Sequence, residues 1–402
     1  MFAAVSLSAS AQGINGSWKG SLELNAAMKL TLVFHFNADA SGRKSCTFDS
    51  PDQGAMDIPA KVNYLSADSV NVSVESIGAT YAGRMKDGRI KGAFSQMGMS
   101  FALNLQPGTV EIKRPQTPQA PFPYKAEDVS FSNPKDGATL AGTLVVPDGA
   151  KSNCPVVLFV SGSGLQNRDE ELFGHKPFLV MADYLARHGI ASLRYDDRGF
   201  GKSTGNAANA TTATFCEDAD AGVEWLRQSK RFGHVGVVGH SEGAAIAFML
   251  GARKKADFIV CMAAPAVKGD ALLLDQTSTM MKKSGIEQQL TIEQIRQQAL
   301  AGETNAWMEY FIDYSPASDI MQTACPVMAI YGSNDVQVTP SANLQPMQFM
   351  LMKNKKALVK EYKGLNHLFQ HCTTGMPNEY GNIEETISPE VLSDIANWVL
   401  KQ

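Results

Sequence analysis

The chain has 402 residues, of which 44% are hydrophobic and 19% charged, and a formal net charge of −4. That length exceeds one ordinary domain and fits a large α/β domain joined to a smaller one. The near-neutral balance excludes the basic field that a nucleic acid or an anionic lipid surface needs, and no run of about 18 apolar residues is present to span a membrane.

The chain opens M-F-A-A-V-S-L-S-A-S-A-Q, a short apolar run leading into Ala9-Ser10-Ala11. An A-x-A triplet in that setting marks a signal-peptidase site, so residues 1–11 read as the remnant of a secretory signal, although the charged n-region is missing. The expected location is periplasmic or secreted. The six cysteines, at 46, 154, 216, 261, 325 and 372, are too scattered for a small disulfide framework. Cys261 reads as a core thiol, while pairing among the others stays open. No Cys or His cluster has the spacing of a zinc site.

Residues 12–106 form an all-β domain. Leu30, Leu32, Phe34 and Phe36 alternate with Thr31, Val33 and His35, and the same period returns at Val70, Val72, Val74 and at Phe101, Leu103, Leu105. Asp87-Gly88 is a hairpin signal. About eight strands fit a small barrel or sandwich, and Gly16-Ser17-Trp18-Lys19-Gly20 resembles the first strand of lipocalin-like barrels. A lumen filled by its own side chains, in a domain that packs against the larger one and shapes or shields its entrance, is favoured over a ligand cavity. Residues 107–123 carry five prolines and read as an extended connector.

From residue 124 to the end, strands alternate with helices. Two leading strands lie at 128–131 and 139–146. Continuous apolar runs follow at 156–160 and 258–262, with further strands at 190–194, 327–331 and 358–362 and helices at 178–188, 212–228 and 389–400. This pattern implies a mainly parallel, doubly wound sheet. Between 264 and 324 the alternation stops, and about 60 residues of helical character form a cap. Its Met280, Met281, Met308 and Met321 are candidates for an acyl pocket, with plain core filling the favoured reading.

Within this domain V-G-V-V-G-H-S-E-G-A-A, residues 235–245, has the layout of a nucleophile elbow, in which a strand ends, Ser241 stands in a tight turn, and a helix begins. Gly239 and Gly243 supply the lack of bulk that such a turn demands. In this fold the acid and the histidine follow the serine in the chain. Asp335 closes the turn after the 327–331 strand, and His367 follows the 358–362 strand, in preference to His371. Asp257, Asp313 and Asp319 are misplaced for the acid. The backbone N–H groups of Ser163 and Glu242 are the expected oxyanion donors, the first from the Ser161-Gly162-Ser163-Gly164 loop, whose Gly162 and Gly164 permit close approach.

Three stretches, S-G-S-G-L-Q-N-R-D-E (161–170), D-D-R-G-F-G-K-S (196–203) and G-H-S-E-G (239–243), resemble the α/β-hydrolase superfamily, and within it bacterial carboxylesterases of the EstD type and serine aminopeptidase-like hydrolases. The resemblance implies an α/β-hydrolase fold with a helical cap, and makes Arg198 a structural support of the site. It also implies cleavage of small carboxylic esters through an acyl-enzyme, with no metal and no organic cofactor. A peptidase or thioesterase using the same residues, and a non-catalytic ligand-binding protein, are the alternatives. Acyl and alcohol preference and oligomeric state are not legible.

Overall fold

The computed structural model describes residues 14–25, 28–38, 42–53, 55–110, 113–151, 153–301 and 305–402; the expected signal remnant, residues 1–11, lies outside them. The chain divides into two compact units, Met1–Lys113 and Arg114–Gln402. Among the described residues no helix is long and apolar enough to cross a membrane, and all six cysteines are free thiols.

The first unit is a closed, antiparallel, up-and-down barrel of eight strands: β1 (Gly16–Asn25), β2 (Met28–Ala38), β3 (Lys44–Ser50), β4 (Ala55–Leu65), β5 (Ser69–Val74), β6 (Ala79–Lys86), β7 (Arg89–Gln96) and β8 (Met99–Pro107). Strand β1 meets β8 through the pairs Trp18 with Pro107 and Lys19 with Gln106, which closes the ring and removes its sheet edges. Alternation along β2 sends Leu32, Phe34 and Phe36 into the same core as Phe48, Tyr81 and Phe94. Phe34 packs 5.1 Å from Phe48 and 4.9 Å from Tyr81, ring centre to ring centre. Aromatic side chains thus occupy the lumen, each contributing about 1.5–3 kcal/mol by leaving water.

The second unit is built on an eight-stranded sheet. Its strands are β9 (Tyr124–Ser132), β10 (Thr139–Pro147), β11 (Val156–Val160), β12 (Ala191–Tyr195), β13 (Val235–His240), β14 (Ile259–Met262), β15 (Val327–Gly332) and β16 (Ala357–Tyr362), in the order β16-β15-β14-β13-β11-β12-β10-β9. Strands β11 to β16 run parallel, while β10 pairs antiparallel with both β9 and β12. Every residue of β11, β13 and β14 is buried, as expected for strands covered on both faces. The covering helices are α1 (Pro177–Arg187), α2 (Thr212–Gln228), α3 (Glu242–Ala252), then α4 (Gly269–Lys283), α5 (Ile292–Ala299), α6 (Ala306–Asp313) and α7 (Ala317–Gln322) in the cap, and finally α8 (Pro340–Leu351), α9 (Pro377–Tyr380) and α10 (Pro389–Val399). Because the central strands are parallel, the loops after β11, β13, β15 and β16 gather at one edge.

The unit boundary, at Lys113 and Arg114, falls inside the expected connector 107–123, and the residues after it bond to the second unit. The Arg114 guanidinium donates to four carbonyls, those of Phe173 (3.1 Å), Gly174 (3.1 Å), Gly381 (2.6 Å) and Ile383 (2.9 Å). Gln116 adds bonds to the Ile387 carbonyl (2.7 Å) and to the N–H groups of Thr386 (2.6 Å) and Ile387 (3.1 Å). Residues 115–117 form a turn, closed by the Thr117 N–H on the Arg114 carbonyl at 3.0 Å, so the expected extended run is interrupted, and proline content could not signal this clamp. Replacing Arg114 by Ala should lower the unfolding free energy of the second unit by about 2–3 kcal/mol, because several carbonyls lose a charged donor. Urea unfolding followed by tryptophan emission should show the earlier transition.

Candidate active site

Strand β13 ends at His240 and helix α3 begins at Glu242, which leaves Ser241 alone to make the turn. Its backbone sits at φ 55° and ψ −117°, a conformation that costs a non-glycine residue about 1–3 kcal/mol. Two close approaches hold it there. A Cβ on Gly239 would lie 2.0 Å from the Gly243 carbonyl oxygen, and one on Gly243 would lie 2.1 Å from that of Val160. Only glycine permits α3 to pack this tightly on the sheet. The Ser241 N–H donates to the Met262 carbonyl at 2.8 Å, which fixes the turn to β14.

Asp335 and His367 come from the loops after β15 and β16. The Nδ1 of His367 lies 2.7 Å from Oδ2 of Asp335, with both side chains buried. The other Asp335 oxygen accepts the N–H groups of Gln337 (2.7 Å) and Val338 (3.0 Å), so the carboxylate cannot rotate away. Since a carboxylate only accepts, Nδ1 carries the imidazole proton and Nε2 is left as a base. His371 is exposed and bonded instead to Glu385 at 2.8 Å.

Ser241 and His367 line one cavity of about 320 Å³, together with Gly162, Ser163 and Glu242. Neither the Ser163 N–H nor the Glu242 N–H meets an acceptor among the described residues, and the latter is an open donor at the start of α3. Gly164 sits in the loop at φ +92°. Leu272, Leu273 and Gln276 of α4 and Trp307 and Phe311 of α6 form the cap side, and no lysine or arginine is among the lining residues. The four cap methionines take neither expected role: none lines the cavity, and Met321 is 60% exposed. Leucines and stacked aromatics form the wall instead. Trp307 Nε1 donates to Glu242 Oε1 at 2.8 Å, an oxygen that also accepts from Thr212 Oγ1 at 2.6 Å, so the cap is bonded to the residue after the serine.

Arg198 is buried, but outside the cavity. It donates to Asp218 (2.7 and 2.6 Å) and Asp136 (2.6 Å) and braces α2 against the turn between β9 and β10. The two aspartates before it are the nearer supports of the 161–170 loop. Asp196 accepts from the backbone N–H of Arg168 at 2.9 Å and from its guanidinium. Asp197 accepts from the Gln166 N–H at 2.8 Å and from Ser161 Oγ at 3.1 Å. Burial pushes the Asp197 pKa up to about 7 against these hydrogen bonds, and the Glu170 and Glu242 carboxylates push the same way. Sequence reasoning singled out the arginine and passed over the aspartates, because an Asp-Asp-Arg-Gly run also describes a solvated turn; it passed over His240 and Glu170 because their contact joins residues 70 positions apart.

A second Ser-His-Asp set lies in the barrel, where His35 bonds Ser17 Oγ at 2.7 Å and Asp49 Oδ2 at 2.6 Å. Its members belong to regular strands, with no elbow and no helix start beside the hydroxyl.

Residues 177–371 match the family described as Serine aminopeptidase, S33 (Hydrolase_4). Esterase EstD of Thermotoga maritima is 28% identical over 296 residues, which cover 70% of this chain and 69% of that protein. Among solved structures, the Pyrococcus furiosus esterase Pf2001 is 17% identical with a TM-score of 0.48, covering 73% of this chain and 99% of the other. Est1E from Butyrivibrio proteoclasticus, solved with ferulic acid bound, is 15% identical with a TM-score of 0.47, covering 68% and 96%.

Asp197 offers a pH test. Its folded pKa lies above the ordinary 3.8, so the wild type loses stability as pH rises through about 7, whereas an asparagine there does not titrate. Between about pH 4 and about pH 8 the stability difference between Asp197→Asn and wild type should move in favour of the variant by about 3 kcal/mol. Denaturant unfolding at several pH values measures it; a difference that stays flat would mean that the carboxyl ionises normally in the fold.

Proposed function

We propose that the second unit, an α/β-hydrolase fold, is a serine esterase that cleaves small carboxylic esters through an acyl-enzyme. The observation that carries this reading is the union of a strained Ser241 and an Asp335-bound His367 on the wall of one cavity. His367 Nε2 takes the Ser241 proton as the hydroxyl oxygen attacks the ester carbonyl carbon. The Ser163 and Glu242 N–H groups receive the oxyanion of the tetrahedral intermediate. His367 then returns the proton to the departing alcohol, and water repeats the sequence to release the acid. Asp335 holds the tautomer and steadies the imidazolium throughout.

The apolar, aromatic wall favours a small ester with a hydrocarbon or aryl acyl group, and the likeness to Esterase EstD supports ester rather than amide substrates. Export to the periplasm or beyond is part of the same proposal and rests on the Ala9-Ser10-Ala11 triplet. Ser241→Ala should lower turnover of a nitrophenyl acyl ester on the order of 10⁶-fold, and Asp335→Asn by about 10⁴-fold. A fluorophosphonate should label Ser241 alone; labelling at Ser17 would move the assignment to the barrel. Aminoacyl arylamides or acyl-thioesters turned over faster than every ester would replace the esterase reading by the peptidase or thioesterase one.

A further inference from the structure

Glu170 and His240 stand among the groups just described, and none of the proposed steps uses their side chains. Both are buried, with side-chain exposures of 1% and 5%. Glu170 Oε1 accepts the N–H of Gly162 at 3.0 Å and faces His240 Nδ1 at 3.0 Å. On its far side, His240 Nε2 lies 2.9 Å from the carbonyl oxygen of His367. That carbonyl only accepts, so Nε2 carries a hydrogen. The carboxylate oxygen already shared with Gly162 also accepts, so Nδ1 carries another. A ring with hydrogen on both nitrogens is an imidazolium.

The charged and titratable groups facing this ring come from three loops. Glu170 follows β11, Asp335 follows β15, and His367, whose ring centre is 4.7 Å away, follows β16. Burial works against the charge on His240, yet the Glu170 carboxylate, the His367 carbonyl and Asp335 together hold its pKa above the ordinary value. Glu170 itself has φ 52°, in the left-handed region that a non-glycine residue avoids. The contacts of its carboxylate accompany that unfavourable backbone.

We infer that the Glu170–His240 ion pair is a positioning device for the reaction: one protonated ring ties the oxyanion loop at Gly162 to the backbone of His367, on either side of Ser241. This rests on the esterase reading. Its consequence is that both tethers exist only while the ring keeps its second proton. A neutral ring has one hydrogen, and then either Glu170 or His367 loses its donor. His240 lines the cavity and Glu170 does not, and neither side chain takes part in the steps proposed above, so the effect is on rate through placement.

The test uses the full chain with Glu170→Gln and His240→Gln, assayed on a nitrophenyl ester across pH. An amide at 170 cannot hold the charge on the ring. Both variants should lose about 10–100-fold in kcat, the scale expected of a small misplacement, with KM changed by less than about 3-fold. In wild type the fall in kcat at alkaline pH should follow loss of the His240 proton. That fall should shift to lower pH in Glu170→Gln and vanish in His240→Gln, where no ring titrates. A purely structural pair would change the thermal midpoint and leave that limb in place. Wild-type kcat in both variants, or an unmoved limb, overturns the inference.

Nitrogen NMR of histidine-labelled wild type gives an answer that does not depend on the variants folding. His240 should show hydrogen on both ring nitrogens at neutral pH, and a singly protonated ring overturns the inference. Wild type that turns over no ester removes the esterase reading and the rate claim with it, while the NMR result still decides whether Glu170 holds a charged ring.

Discussion

The close contact between α3 and the central sheet is the constraint on which the site depends. Gly239 and Gly243 let the helix start against β11 and β13 at distances no side chain would tolerate, and Ser241 takes up the resulting strain in its own backbone. The hydroxyl stands at the carboxyl edge because the backbone has no relaxed way through. The same turn leaves the first N–H of α3 open beside it. In the proposed reaction, nucleophile placement and one oxyanion donor both follow from this single packing decision.

Around that turn, charge is arranged in layers. Asp335 orders His367 directly. Behind them, Glu170 and His240 bond to the loops that carry Gly162 and His367, and Asp196 and Asp197 brace the 161–170 loop from beneath. These carboxylates are buried and bonded to backbone N–H groups, the arrangement in which a low-dielectric interior strengthens a hydrogen bond and makes its loss costly. Arg198 serves the scaffold further out, with Asp218 and Asp136 as its partners.

Much of this was legible in the chain. Strict alternation announced the barrel strands, and continuous apolar runs announced the buried parallel ones, since each pattern reports which faces meet water. The elbow was readable because glycine, serine and glycine at that spacing have a steric reason to recur. Helix α8 was not, because Pro340 and Pro346 and the polar residues between them hide a helix whose first proline sits where it needs no N–H and whose second lies inside it. Trp307 and Glu170 were silent for another reason. A hydrogen bond between residues 65 or 70 positions apart leaves no period in a sequence, and Arg114 reaches carbonyls beyond residue 380 in the same way. Methionines in the cap helices drew attention by type, whereas the cavity wall is set by which helical face turns inward.

The bond between Trp307 and Glu242 also has an optical side. Of the four tryptophans, this one stacks on Phe311 with its ring nitrogen held by the residue next to Ser241. Its emission depends on the polarity and hydrogen bonding around that nitrogen. Whatever settles against the serine changes both, and the site thereby carries a built-in fluorophore for its own occupancy.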